Sequence, residues 1–365
     1  MASHPPSVSG VNPYPTCLLC GVQVWKMDYC SRKMNPNHAD ALLKETQWKK
    51  HRKAKLEHVM VSSKEVEEAD LAKFPTMWSC VCRAIIKGPT TKFFLSGITV
   101  IGENRTESYL IPIPKNPSMA RIGGRTHNLQ YDDDTFIQFY AASITKQLNR
   151  FKGEHMGFVV HAHCWALLNH IIPTKVVQKK MDKFVRVARK YWRDNESWGS
   201  NDYFLRHWKG QPRIAYPGFE YGCDIYMNPL IIPEVQKAIE NAKKAKKKRV
   251  QHCYSNIPLE VAIMIAEWTC PIDYTPADAK NTRNMLSACQ WELPGSFWKR
   301  RLNEDIFLEL NSLREAEYSI DWQALRLDLM ALLSDREWYL SSGLANRERV
   351  LGFMTAIKSI FLEIP

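Results

Sequence analysis

Apolar residues recur at helical spacing between residues 176 and 192, where Val177, Met181, Phe184, Ala188 and Tyr191 share one face. Lys179, Lys180, Lys183, Arg186, Arg189 and Lys190 lie largely off that face, so the stretch predicts a strongly amphipathic helix. Earlier segments follow a different pattern. Residues 93–101 and 109–114 are rich in β-branched and aromatic side chains and flank Gly102-Glu103-Asn104, which predicts a β-hairpin. Pro112 and Pro114 restrict the second strand to a sheet edge, because proline donates no ladder hydrogen bond. Residues 157–168 read as a short strand turning into a helix. Residues 39–58 read as a basic helix and 61–87 as a short helix and linker. Residues 115–134 read as a loop carrying Gly123-Gly124 and Asp132-Asp133-Asp134, and 193–229 as an irregular aromatic segment. A helix opens at Pro233 and runs into lysines. Further helices are expected near 320–333 and 346–362, the last capped by Asn346, with Val350, Met354, Ile357 and Phe361 in one seam.

The densest apolar pattern lies at 256–302. Val261, Met264, Ile265 and Trp268 form one helix face, and Ile263 falls elsewhere on the same helix. Asn256 suits the cap, and Pro258 and Glu260 suit the first turn. A second helix is expected over about 277–289 and a third from near Pro294, carrying Phe297 and Trp298. Three short helices with surplus apolar surface form a module that a partner covers.

A chain of 365 residues holds two or three modest domains. The formal charge of +12 is half concentrated in Lys243, Lys244, Lys246, Lys247, Lys248 and Arg249. What remains is too mildly basic to argue for a nucleic-acid surface. The run itself fits a nuclear-import peptide or a solvated helix end, with direct nucleic-acid binding a weaker third reading. Residues 1–14 lack the apolar core of a secretory leader, and no stretch has the ~18 apolar residues of a membrane span. Ten cysteines in that setting predict reduced thiols or metal ligands in the cytoplasm or nucleus.

Two cysteine motifs share one spacing. Cys17-x2-Cys20-Gly21 forms a turn in which two thiolates converge, and His161-x2-Cys164 offers two more ligands at a strand-to-helix junction. Together they predict one structural zinc ion on Cys17, Cys20, His161 and Cys164, with His163 as an alternative to His161. Cys30 and His38 are weaker substitutes, being near Cys20 but unpaired. Cys80 and Cys82 read as packed apolar residues, because a one-residue gap chelates poorly. No nucleophile elbow, phosphate loop or dinucleotide fingerprint is present, and Cys164 as a nucleophile lacks a visible base. No catalytic residue is therefore assigned, and the chain is read as not an enzyme.

Ile257-Pro258-Leu259-Glu260, Ala288-Cys289-Gln290-Trp291 and Phe297-Trp298 resemble the opening, middle and closing tryptophan of an F-box. The whole chain resembles a group of filamentous-fungal F-box proteins. The matching features, in order, are Cys17-x2-Cys20-Gly21, Trp78 with Arg83-Ala84-Ile85, Leu95-Ser96-Gly97-Ile98, His161-x2-Cys164-Trp165, and Gly343-Leu344-x-Asn346-Arg347-x-Arg349-Val350. The resemblance implies a non-catalytic adaptor that docks the Skp-family subunit of a cullin-RING ubiquitin ligase and presents an unknown protein substrate. It implies that Ile257, Pro258, Leu259, Ile263, Met264 and Trp298 face that subunit. A nuclear zinc-containing protein that binds nucleic acid or other proteins is the alternative. The expected fold is α+β and mostly helical. Residues 1–15 are a disordered start and 16–232 a mixed domain with a small β-hairpin or sheet and a candidate zinc knuckle. Residues 233–255 are a basic linker, 256–302 a three-helix F-box, and 303–365 a C-terminal helical region.

Overall fold

The computed structural model describes residues 15–22, 24, 58–69, 77–88, 92–100, 110–123, 134–144, 155–195, 214–216, 219–223, 225, 227–244, 257–270, 276–289, 291, 293–315 and 320–363. The chain divides into two compact units. Unit 1 comprises Met1–Pro212, Ile225–Leu230 and Glu348–Pro365, and unit 2 comprises Arg213–Asp224 and Ile231–Arg347. The last eighteen residues thus count with unit 1, not with the C-terminal helical region expected from the sequence.

Unit 1 is built on a curled half-barrel sheet. Its elements are β1 (His58–Ser62), α1 (Ser63–Glu67), β2 (Val81–Lys87), β3 (Phe93–Leu95), β4 (Ile98–Val100), β5 (Leu110–Pro114), β6 (Met119–Gly123), β7 (Phe136–Ala141) and β8 (His155–His161). The strand order is β1-β6-β4-β2-β8-β7-β5, and β3 also pairs with β2, which makes eight strands. This corrects the expected mostly helical chain with only a small hairpin. The reason lies in burial. Every residue of β2 but the last is buried, and so is every residue of β8 but the first. Strands covered on both faces show no alternation, so their sequence cannot be told from a buried helix by period. Among the described residues the expected hairpin pairing is also absent: β4 pairs with β2 and β6, while β5 pairs with β7 in the register Pro112↔Gln138. The prolines did fix one feature, since β5 ends the strand order at a sheet edge.

Ser96 and Gly97 interrupt what would otherwise be one strand against β2. Ser96 N donates to Ala84 O, and Ser96 Oγ accepts from Ala84 N at 2.9 Å, so a side chain replaces a ladder carbonyl. Gly97 N then donates to Pro114 O at 2.8 Å. A Cβ on Gly97 would collide with Met119 O and lie 2.5 Å from Asn116 O. Both obstacles are backbone, which cannot swing aside. Gly97→Ala is therefore expected to cost about 3 kcal/mol, the upper end of overpacking penalties. Chemical denaturation checks this, and a midpoint equal to that of the unmodified chain refutes it. Arg83 fastens the same region. Its buried guanidinium bonds Glu67 at 2.8 Å, Ser96 O at 3.1 Å and Pro117 O at 2.7 Å.

β8 leads directly into α2 (Ala162–Ile171), as the sequence predicts, followed by α3 (Thr174–Lys179) and α4 (Met181–Asn195). The single helix expected over 176–192 is two, broken at Lys180. Its apolar face holds across the break: Val177, Met181, Phe184 and Ala188 are buried, and Tyr191 is partly so.

Unit 2 contains β9 (Ile214–Tyr216), β10 (Phe219–Cys223), α5 (Pro233–Lys244), α6 (Leu259–Thr269), α7 (Pro276–Cys289), α8 (Gly295–Lys299), α9 (Glu309–Glu315), α10 (Trp322–Ser334) and α11 (Arg336–Ser341). Residues 233–244 are not linker. Val235, Ala238, Ile239 and Ala242 of α5 pack with Leu302, Phe307, Leu325 and Leu329 in one core. A second core joins Ala262, Ala266 and Cys270 with Leu286, Phe297, Trp298, Leu327 and Met330. α10 serves both cores, because residues 325 and 329 fall on one face and 327 and 330 on another.

α12 (Gly343–Glu363) closes the described chain. Asn346 is buried inside it, so it is not the expected cap. The predicted seam is fully internal: Val350, Met354, Ile357 and Phe361 are all buried. The expected disordered start up to residue 14, most of the basic helix 39–58, Gly102-Glu103-Asn104, Gly124, Asp132-Asp133 and the cap residue Asn256 lie outside the described residues.

Candidate metal centre and docking face

The knuckle at 17–21 is a tight reversal. Gly21 N donates to Cys17 O at 3.0 Å and Cys17 N to Val22 O at 2.9 Å. Gly21 has φ +73°, a conformation that glycine adopts without a Cβ penalty. Leu18 N donates to Val159 O at 2.8 Å, which pins the knuckle beside β8. His161 ends that strand and occupies the N-cap position of α2 without capping it. Its ring turns to the cysteines instead. Cys164 follows three residues later, on the first turn of the helix.

These elements bring Cys17, Cys20, His161 and Cys164 together, their ligand atoms all within 4.8 Å of one another. All four are buried. His161 Nδ1 lies 3.3 Å from Cys20 Sγ and 3.8 Å from Cys164 Sγ. Ligands of a tetrahedral ion with metal–sulfur bonds of ~2.3 Å stand about 3.5–3.8 Å apart, so the spacing fits such an ion. Cys17 Sγ accepts two backbone N–H groups, from Leu19 at 3.4 Å and His161 at 3.3 Å. Such donors stabilise a thiolate. The cluster can hold a metal ion.

Proton affinities set Cys17 and His161 apart from the packed groups. Burial alone would raise the Cys17 pKa, but hydrogen bonding with Cys164 and Cys20 and the charge of His161 pull it well below the usual thiol value. Burial alone would lower the His161 pKa, but the charges of Cys17 and Cys20 raise it to about 10. Cys164 is raised by burial and by its bonds to the other two thiols. Cys80, by contrast, is pushed up to about 12 by burial, with only a weak opposing hydrogen bond from Ser79. Burial raises Cys82 as well. Those two are the packed thiols the sequence implies. His163 is buried on the first turn of α2 but outside the cluster, and burial with the neighbouring His161 lowers it to about 4. Of the two histidines left open by the sequence, His161 is the one that joins the cluster. Cys164 is buried with a raised pKa, the reverse of an accessible nucleophilic thiolate.

The second candidate site is on α6. Ala262, Ala266 and Cys270 face the core, with Ile263 packed partly against it. The outer stripe is larger and apolar: Val261 is 41% exposed, Met264 60%, Ile265 37% and Trp268 89%. Ile257 and Leu259 add exposed apolar surface at the N-terminal end, beside the exposed Pro258. Trp298 differs from expectation. It is buried against Phe297 in the core under the helix, so it supports the face from beneath and does not line it.

No family model, curated protein or solved structure matches this chain. Among the described residues, no helix is long and apolar enough to cross a membrane. Lys243 ends up on the last turn of α5 with Lys244, and Lys246, Lys247, Lys248 and Arg249 lie outside the described residues.

Sequence reasoning overlooked two residues at the metal centre. Trp192 Nε1 donates to Leu18 O at 2.6 Å, and Arg349 donates to Cys20 O at 3.0 Å. Trp192 only ends the stretch expected to be an amphipathic helix and has no place in its apolar face. Arg349 belongs to the Gly343-Leu344-x-Asn346-Arg347-x-Arg349-Val350 stretch, whose spacing alone marks no role for it.

Proposed function

We propose that this chain is a non-catalytic adaptor of the F-box type, docking a Skp-family subunit of a cullin-RING ligase through α6 and carrying one structural zinc ion in unit 1. The observation that carries the docking reading is the inversion of α6. Its small residues point inward and its large apolar ones outward. A helix apolar on all sides is normally buried on all sides. Here the described residues cover only one side, and the exposed stripe Val261, Met264, Ile265 and Trp268 has the i, i+3, i+4, i+7 spacing of a helix presented to a groove. α7 and α8 follow and share its core, in keeping with the three-helix resemblance.

Zinc suits the donor set. Three thiols and one imidazole, buried and closed, leave no open position for a substrate, which is the pattern of a structural site. The unknown substrate of such an adaptor would be held elsewhere on the chain.

The test is co-expression of the full chain with a Skp-family subunit. The unmodified chain is expected to co-purify with it. Met264→Asp/Trp268→Asp changes two solvent-facing positions, so the fold should tolerate it. Losing two buried apolar contacts, at about 1.5–3 kcal/mol each, should weaken binding at least 100-fold. Undiminished capture by the variant would remove α6 as the docking face, and no capture by the unmodified chain would remove the function.

A further inference from the structure

The knuckle is clamped from outside by two side chains. Arg349, on the part of α12 that belongs to unit 1, is buried and donates to Cys20 O at 3.0 Å. Its guanidinium lies 5.4 Å from the ring of Phe353, one turn further along the helix. Phe353 packs edge-to-face on Trp192 at 5.1 Å, and Trp192 Nε1 bonds Leu18 O at 2.6 Å. The same indole covers Gly21, where a Cβ would come within 3.1 Å of it. Two carbonyls of the turn that presents both thiols are therefore fixed by side chains from α4 and α12.

Charge adds to this geometry. One divalent ion with three thiolates and a neutral imidazole carries a formal charge of −1, in a site walled off from water. A buried guanidinium bonded to a ligand's own carbonyl supplies the opposite sign where solvent cannot.

We propose that Arg349 is a positioning residue for the metal centre, holding the Cys17-x2-Cys20 turn in its ligating form, so that metal occupancy and the anchoring of α12 are coupled. This rests on the metal reading above. Arg349 touches no metal; it acts through Cys20.

The experiment uses the full chain loaded with cobalt(II), whose sulfur-to-metal absorption reports the ligand set, and with zinc challenged by a chromophoric chelator. Arg349→Met is expected to weaken metal retention by about 10–100-fold and to shift the cobalt band, with Arg349→Lys restoring part of both. Trp192→Phe, which keeps the ring and loses the indole N–H, is expected to give a smaller shift of the same sign. A substitution that merely loosened packing would lower the melting temperature and leave the cobalt band in place. In the unmodified chain, stripping the metal should raise hydrogen exchange across residues 349–357. Equal exchange with and without metal overturns the coupling, and does so even if Arg349→Met fails to fold. An Arg349→Met chain with native metal retention and an unmoved band overturns the positioning role alone. An unmodified chain that binds neither cobalt nor zinc overturns the metal reading and this inference together.

Discussion

A chain carrying Cys17→Ser/Cys20→Ser is expected to purify without zinc and to lose the cooperative melting of unit 1. The magnitude follows from comparing two quantities. A structural zinc site contributes on the order of 10–16 kcal/mol of apparent binding free energy near neutral pH. A domain's whole net stability is only about 5–15 kcal/mol. Removing the ion therefore costs as much as the fold has to lose. The substituted site is also worse than merely empty. Serine hydroxyls would sit in a buried pocket beside His161 and Cys164, and buried polar groups without partners are themselves costly. Elemental analysis alongside scanning calorimetry checks both halves. The unmodified protein should carry one zinc per chain and release it on acidification. The sign is fixed because protons compete with the metal for the thiolates and the imidazole, so affinity falls as pH falls. A metal-free unmodified chain that still melts cooperatively would refute the site.

The centre was legible because its parts are local. Cys17-x2-Cys20 and His161-x2-Cys164 each present two ligands from one turn, and only chelate geometry is needed to read them. That they meet across 141 residues was an inference from ligand count, and the 3.3 Å contact of Cys20 with His161 realises it. The proline-bearing edge strand and the seam on α12 were legible for the same reason: one residue's chemistry or one helical period sufficed.

The sheet was not legible. β2 and β8 are buried on both faces, which erases alternation, and their neighbours are settled by register over long sequence separations. The β5–β7 pairing, for example, involves a partner that no turn signal near β5 announces. The arginines were equally opaque. Arginine is a surface residue by habit, yet Arg83, Arg121, Arg326, Arg347 and Arg349 are all buried. For Arg83, Arg347 and Arg349 the partners are carbonyls and carboxylates distant in sequence, so no local pattern marks them. Helix α6 was half legible. The apolar stripe of α6 could be read from its spacing, but which side the chain itself covers could not. Small residues at 262, 266 and 270 decided that.

Glu309→Gln is expected to destabilise unit 2 by about 3–5 kcal/mol. Glu309 grips Arg347 through both oxygens, at 2.7 and 2.9 Å, and Ile306 O accepts a third bond from the guanidinium at 2.9 Å. The Arg347 side chain has 0% exposure and Glu309 only 21%. Replacing the carboxylate by an amide takes its bidentate counter-charge from a buried guanidinium, and one of the two acceptor contacts becomes a donor facing a donor. Part of the loss has a second source. Glu309 opens α9, where an acid interacts favourably with the helix N-terminus, but that contributes only about 0.3–1 kcal/mol. The two sources separate in a double variant. Arg347→Met/Glu309→Leu removes both charges and should recover most of the stability, because a buried ion pair is nearly replaceable by apolar packing whereas a stranded charge is not. A loss confined to the helix-terminus contribution would leave the double variant no better than Glu309→Gln. A recovered double variant beside a strongly weakened single one, measured by thermal and chemical unfolding, is the result expected. A Glu309→Gln chain as stable as the unmodified one would mean that the pair adds nothing to unit 2 beyond its packing.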